Sequence, residues 1–368
     1  MSVSERLYGW RDRLLASAAF HRWAARFPLT RPVAQRQAQA LFDLCAGAVY
    51  AQVLVACVQL RLFEFLAEGS RSAAEVAERC GLPPDSAERL LGAATALKLV
   101  QRRGSDRFGL GLLGAASLGN PGIAAMVAHG AVLYGDLADP VALLRRGRGG
   151  TSLAAFWPYA GGDSSPEPDA VEPYTRLMAA SQPLVAEQIL DGYPFGRHRS
   201  LLDVGGGDGT FLAAVARRAP DLRLVLFDLP AVAALARSRF ARDGLGGRAT
   251  TVGGSFLEDP LPPGSDVATL IRVIHDHDDE AASAILRAVH AALPPGGILV
   301  VAEPMGGSAG SERMGDAYFA IYLTAMGTGR VRTPAQLEAL LRGAGFAAIR
   351  SVRTSIPLMT GIMTASRV

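Results

Sequence analysis

Glycines alternate at 205, 207 and 209 in Leu201-Leu202-Asp203-Val204-Gly205-Gly206-Gly207-Asp208-Gly209-Thr210-Phe211, with acids at 203 and 208. An apolar run, a glycine turn and a helix start form a strand–turn–helix unit, a common seat for a nucleotide-like ligand. A dinucleotide loop carries its third glycine one position later, where this chain has Thr210. Asp203 and Asp208 would repel a pyrophosphate at the helix N-terminus, yet both suit a ligand bearing an ammonium and a sulfonium. Asp228, followed by Leu229, ends the apolar run Leu222–Phe227, where an acid commonly binds ribose hydroxyls. The two strand tips and the glycine turn point to an adenosine ligand without a phosphate anchor. Its candidate contacts are Asp203, Gly205, Gly207, Asp208, Gly209, Asp228 and Leu229.

A second reactive group lies at Arg272-Val273-Ile274-His275-Asp276-His277-Asp278-Asp279-Glu280. His-x-His-x-Asp is part of a dinuclear zinc pattern, but the pattern's last histidine is replaced by Glu280 and only four other histidines exist (21, 129, 198, 290). Acids at the start of the predicted helix Asp278–Leu293 complement its dipole instead. No metal is expected. A histidine at a strand's carboxyl end can take a proton at neutral pH. Glu303, closing the next strand, can hold the imidazole in one tautomer and favour its charged form. His275 is the first candidate base, ahead of Glu303 and then Asp276. Arg272, at the mouth of the same turn, is a further candidate cofactor contact.

These groups need a scaffold. From about residue 197 strands and helices alternate: Ser200–Val204, Leu222–Phe227, Ala249–Val252, Val267–Ile274 and Ile298–Ala302, with Phe346–Arg353 and Pro357–Thr364 closing the chain. Apolar strands separated by helices predict an α/β fold, a doubly wound, Rossmann-like parallel sheet with ligands at the carboxyl strand ends. Ahead of it, Leu41–Leu66 is helical in pattern. Ser72–Gly81 reads as a capped helix ending in glycine, and Ser86–Leu97 as the next helix. Val100–Arg103 and Arg107–Leu110 read as a small β-wing, so residues 37–118 resemble a winged helix-turn-helix. Residues 119–196 are a helical connector with a Gly/Pro/Ser-rich interruption, Arg145–Pro173, and the helix Tyr174–Leu190. Phe156-Trp157-Pro158-Tyr159 in the interruption is either a lid or local packing. Residues 197–368 form the catalytic domain.

Length and composition suit two globular domains: 368 residues, 49% hydrophobic and 19% charged, with a net charge of +3. The charge is uneven. Residues 1–36 hold seven arginines (6, 11, 13, 22, 26, 31, 36) against Glu5 and Asp12, interleaved with Leu14, Leu15, Phe20, Trp23 and Phe27. Such a segment either lies on an anionic membrane surface or packs as a solvated helix on the body or a partner. The would-be recognition helix Asp85–Leu97 carries Asp85, Glu88 and a single Arg89, and residues 61–111 hold eight basic against seven acidic groups. That is too little for a DNA reader, so a dimerisation and substrate-covering role is expected, with no nucleic-acid partner. There is no signal-peptide pattern, and the apolar stretch Leu44–Val58 is too short for a bilayer span. Cys45, Cys57 and Cys80 have no metal or disulfide spacing and read as reduced thiols of a cytoplasmic protein.

The turn and acids resemble motif I of the class I S-adenosylmethionine (SAM) methyltransferases. His275-Asp276-His277-Asp278-Asp279-Glu280 resembles the H-D-W-x-D-E signature of plant-type and acetylserotonin-like O-methyltransferases, with His277 at the tryptophan. Ala292-Leu293-Pro294-Pro295-Gly296-Gly297 with Glu303, and Arg332-Thr333-Pro334-Ala335-Gln336-Leu337 with Leu340-Leu341…Ala344-Gly345-Phe346, follow that family in order. The resemblance covers residues 40–368. It implies SAM as cofactor, a homodimer whose N-terminal domain walls the partner's substrate pocket, and His275 as base. Two positions depart. The acid usual after the third strand is Ser255, which leaves Phe256 to pack on the adenine. The second glutamate of plant members is Val331, so His275 would lean on Glu303 alone.

Within the family, Phe27-Pro28-Leu29-Thr30-Arg31-Pro32, Phe156-Trp157-Pro158-Tyr159-Ala160 and Met314-Gly315-Asp316-Ala317-Tyr318-Phe319 resemble the bacterial demethylspheroidene (hydroxyneurosporene) O-methyltransferases of carotenoid synthesis. That implies methylation of a tertiary hydroxyl on a long polyene. Phe156, Trp157, Met178, Tyr318, Phe319, Tyr322 and Met326 are the candidate substrate-pocket residues, although the stripe 318–326 at helical spacing also reads as plain core. A phenolic substrate and a non-catalytic SAM-fold regulator are the alternatives.

Overall fold

The computed structural model describes residues 3–157, 168–307, 310–356 and 360–368. The chain divides into two compact units, Met1–Ala116 and Ser117–Val368.

In the first unit three strands, β1 (Arg71–Ser72), β2 (Val100–Arg103) and β3 (Arg107–Leu110), pair antiparallel in the order β1-β3-β2. The helix Ala73–Cys80 starts in a capping box: the Ser72 side chain accepts from the Glu75 N–H while Glu75 accepts from the Ser72 N–H. It ends at Gly81, whose φ of 65° is left-handed. The next helix, Pro84–Ala96, starts two residues before the expected Ser86, because Pro84 fits the first helical turn. The predicted helix Leu41–Leu66 is two helices, Arg31–Gln59 and Leu62–Ala67, broken at Arg61 with φ 52°. Arg31–Gln59 has 29 residues, so the apolar stretch that looked short sits in a helix long and apolar enough to cross a membrane by length and composition alone. Most of that helix is exposed in the single chain.

The second unit holds a seven-stranded sheet: β4 (Ser200–Val204), β5 (Arg223–Asp228), β6 (Ala249–Gly253), β7 (Val267–Ile271), β8 (Ile298–Glu303), β9 (Phe346–Val352) and β10 (Gly361–Arg367). The order is β6-β5-β4-β7-β8-β10-β9. β4 through β8 pair parallel, and β10 inserts antiparallel between β8 and β9. Every residue of β4 and β7 is buried, as both faces of a parallel sheet covered by helices require. One core packs Phe211, Leu212 and Phe240 on one side, and the other packs Ile285, Leu286 and Leu337 on the opposite side. Two strand expectations need correction. The stretch predicted as Val267–Ile274 ends at Ile271, because Arg272 takes a left-handed φ of 58° and a 3₁₀ turn, Ile274–Asp276, follows. The last strand begins at Gly361 rather than 357; residues 357–359 lie outside the described residues.

Candidate active site

A cavity opens at the carboxyl ends of β4, β5 and β7, lined by the loop Gly205–Asp208, by Asp203, Asp228 and Leu229, by Ser255 and Phe256, and by Arg272, Val273, Asp276 and His277. The first β–α loop runs through three left-handed glycines, Gly205, Gly207 and Gly209. Gly206, absent from the expected set, is needed for space: a Cβ there would come within 2.7 Å of Asp203 Oδ2.

Asp203 is fully buried. Thr269 Oγ1 donates to its Oδ1 at 2.6 Å, and its Oδ2 has no partner. Burial pushes its carboxyl up to about 7, with Asp228 adding repulsion against the Thr269 hydrogen bond. Asp228 accepts the backbone N–H of Gly207 at 2.8 Å and of Leu229 at 2.7 Å. Burial still pushes it up to about 6, over the opposing effect of those two donors. Asp203 borders the cavity and carries a buried carboxylate oxygen with no partner among the described residues; with Asp228 as a second buried acid, that acceptor set fits a cationic ligand with ribose hydroxyls. Asp208 does not serve as a free charge. Its carboxylate pairs with Arg239 and accepts from the Thr210 N–H and hydroxyl. The Ser255 N–H donates to Asp259 Oδ2 at 2.8 Å, and Phe256 meets His277 edge-to-face at 5.4 Å. Burial drives His277 down to about 4, so this wall of the cavity is a neutral imidazole.

His275 is buried in the turn beyond β7. Its Nε2 lies 3.1 Å from Asp276 Oδ1. Glu303 Oε2 accepts the His275 backbone N–H at 3.0 Å and stands 3.6 Å from Nδ1, too far for a hydrogen bond to that nitrogen. Burial alone would lower the imidazole, but Asp276 and Glu303 outweigh it and raise it above the ordinary histidine value. The imidazole therefore stands between two carboxylates, not against Glu303 alone. The cavity touches Val273, Asp276 and His277 but not His275, whose ring meets Phe319 edge-to-face at 5.7 Å.

The turn is held from behind by residues 328–332, of which the sequence motif included only Arg332, without a role. Arg332, 1% exposed, donates to the Ile274 carbonyl at 2.7 Å and the His277 carbonyl at 2.8 Å, and pairs with Asp279. The Arg330 N–H donates to the His275 carbonyl at 2.9 Å, and the Thr328 hydroxyl to the Asp276 carbonyl at 3.2 Å. Four consecutive carbonyls are thus fixed. Gly329 sits at φ +82°, where a Cβ would overlap the His275 carbonyl oxygen.

Of the expected pocket residues, Trp157 and Met178 line the cavity; Phe156, Tyr318, Phe319, Tyr322 and Met326 do not. Tyr322 and Met326 are buried in a core with Leu133, Leu143, Leu153 and Trp157. Tyr318 is 40% exposed. Phe319 bridges that core and His275. The stripe is not one regular helix: Arg313–Phe319 is a π-helix and Ala320–Met326 an α-helix, a discontinuity often found at functional sites. Pro158, Tyr159 and Ala160 lie outside the described residues.

His129 was missed. Its Nε2 bonds the Tyr322 hydroxyl at 2.9 Å beside Phe156, and burial lowers its affinity for a proton. The helix Pro168–Gly192 adds Tyr174, Thr175, Ala179 and Gln182 to the cavity alongside Met178. The i, i+4, i+8 spacing of Tyr174, Met178 and Gln182 was the available signal. Arg272 reaches the same helix, donating to the Ser181 hydroxyl at 2.8 Å.

Residues 134–347 match the family model described as an O-methyltransferase domain, and residues 42–116 the O-methyltransferase dimerisation domain. The chain belongs to the O-methyltransferase family. It is similar to demethylspheroidene O-methyltransferase of Cereibacter sphaeroides, 46% identical over 96% of this chain and 94% of that one. The protein of that name from Rhodobacter capsulatus is 43% identical over 96% of this chain and 88% of that one. Among solved structures, CalO1, a methyltransferase of calicheamicin biosynthesis in its SAH-bound form, superposes with a TM-score of 0.76 at 27% identity, covering 91% of this chain and 99% of that one. The family member described here is a SAM-dependent O-methyltransferase, and its dimerisation domain supports a homodimer.

Proposed function

We propose that the enzyme methylates the tertiary hydroxyl of a hydroxycarotenoid of the demethylspheroidene or hydroxyneurosporene type. The observation that carries this is similarity of 46% and 43%, along nearly the whole chain, to two proteins bearing that substrate in their names. Trp157 and Met178, which line the cavity, and Phe319, which packs on His275, support an apolar substrate. Bound SAM supplies a methyl group made electrophilic by its sulfonium. Asp203 would hold the ligand's ammonium, and Asp228 with Leu229 would take its ribose hydroxyls. Phe256 and Ser255 border the adenine, and Arg272 anchors the cavity wall.

His275 would take the hydroxyl proton as the substrate oxygen bonds the methyl carbon and the methyl–sulfur bond breaks, leaving S-adenosylhomocysteine, and Asp276 and Glu303 would stabilise the resulting imidazolium. A tertiary alcohol is a weak acid, so proton removal accompanies attack; much of the rate comes from holding the reacting atoms in line in a dry pocket. A general base typically adds ~10²–10⁴-fold. Residues 1–36 bring the cytoplasmic enzyme to a membrane surface, where such a polyene resides. Incubating the enzyme with labelled SAM and a panel of hydroxycarotenoids and phenols tests the substrate class. Labelled hydroxycarotenoid is expected; transfer to phenols alone would refute it.

A further inference from the structure

We infer that the groove formed by Arg22, Arg26, Trp23 and Phe27 binds the phosphate of an anionic phospholipid while the aromatic rings enter the bilayer interface. Arg22 and Arg26 stand one turn apart on the helix Ala18–Arg26 and line the groove with Trp23 and Phe27. Trp23 and Phe27 stack at 5.2 Å with ring planes 11° apart, yet are 52% and 40% exposed. Among the described residues neither arginine has an acidic partner. The preceding helix, Val3–Leu15, repeats the arrangement. Leu7 and Trp10 are 67% and 61% exposed, with Leu14 on the same stripe, and Arg6, Arg11 and Arg13 flank it. Apolar stripes edged by arginine fit a lipid surface: the rings sit at the headgroup boundary and the guanidinium groups meet phosphate.

The occupant is decided by charge and by position. Seven arginines against two acids would set two copies of this segment in mutual repulsion, whereas an anionic surface complements them. The segment also lies ahead of the dimerisation match, which begins at residue 42. A membrane-dissolved substrate gives the docking a purpose, and in that respect alone the inference rests on the proposed substrate.

The test is flotation of the purified full chain with vesicles, without substrate or cofactor, so a wrong substrate assignment would leave its result intact. Binding is expected to phosphatidylcholine vesicles containing phosphatidylglycerol, not to phosphatidylcholine alone, and to fall steeply with added salt. Arg22→Gln with Arg26→Gln should weaken it about 30-fold. Trp23→Ala should weaken it at every salt concentration, with methyl transfer to detergent-dispersed substrate unchanged for all variants. Equal binding to both vesicle types would overturn the inference. So would variants that float like the parent, or that lower the oligomeric state in sedimentation instead. Salt release of the unmodified chain decides the matter if a variant fails to fold.

Discussion

If Asp203 holds the ammonium of SAM, cofactor affinity depends on pH. In the free protein burial sets its carboxyl at about 7, and its Oδ2 has no partner. If a ligand ammonium occupies that oxygen, the complex requires the ionised form. At about pH 5, two units below, only about 1% of the free protein is ionised at this site, against about half at about pH 7, where the ligand's amine is still charged, so affinity should be about 50-fold weaker at pH 5 than at pH 7, a difference of about 2.3 kcal/mol. Asp228, at about 6, sits in the same cavity but faces neutral hydroxyls in this account, so it contributes less. Isothermal calorimetry against SAM across this range measures the effect. At about pH 6, titration in two buffers of different ionisation heat should reveal release of close to one proton per site. Asp203→Asn should bind weakly with a flat profile. Wild-type affinity that is independent of pH, with no proton released, would refute the reasoning.

The same raised carboxyl has a stability consequence. It favours the free fold below the ordinary aspartate value and loses that contribution as pH rises through about 7, so the melting-temperature gain on adding SAM should widen between about pH 5 and pH 7. For His275 the neutral form is the base, and its proton affinity is raised, so kcat/KM should climb with pH through a midpoint above 6.5; Glu303→Gln should move that limb to lower pH. Arg332→Met leaves the buried Ile274 and His277 carbonyls without their donor and should cost ~3 kcal/mol in chemical denaturation, with kcat falling more than SAM affinity. Tyr322→Phe strips His129 of its partner and should cost ~1–3 kcal/mol by the same measurement.

The strands were legible because a buried parallel strand is a short apolar run with an acid or glycine at its end, and β4 matched its expected span. The end of β7 was not, because the left-handed turn at Arg272 leaves no trace in an apolar pattern that continues through Val273 and Ile274. Similarly, Arg61 breaks a helix that periodicity alone would continue. Asp203, Asp228 and His275 could be chosen from type and position, since each lies at or just past the carboxyl end of a strand. The pairing of Asp208 with Arg239 and the clamp from Arg332 depend on packing between segments distant in sequence. The aromatic stripe was ambiguous for a physical reason: one set of apolar side chains serves as core at Tyr322 and Met326 and reaches His275 at Phe319.

The central claim is that His275 acts as the base in O-methylation. Its most direct test is single-turnover methyl transfer by His275→Ala with saturating SAM and a hydroxycarotenoid, alongside SAM affinity by calorimetry. The account predicts a rate ~10²–10⁴-fold lower with SAM affinity little changed. Turnover near the wild-type rate would contradict it.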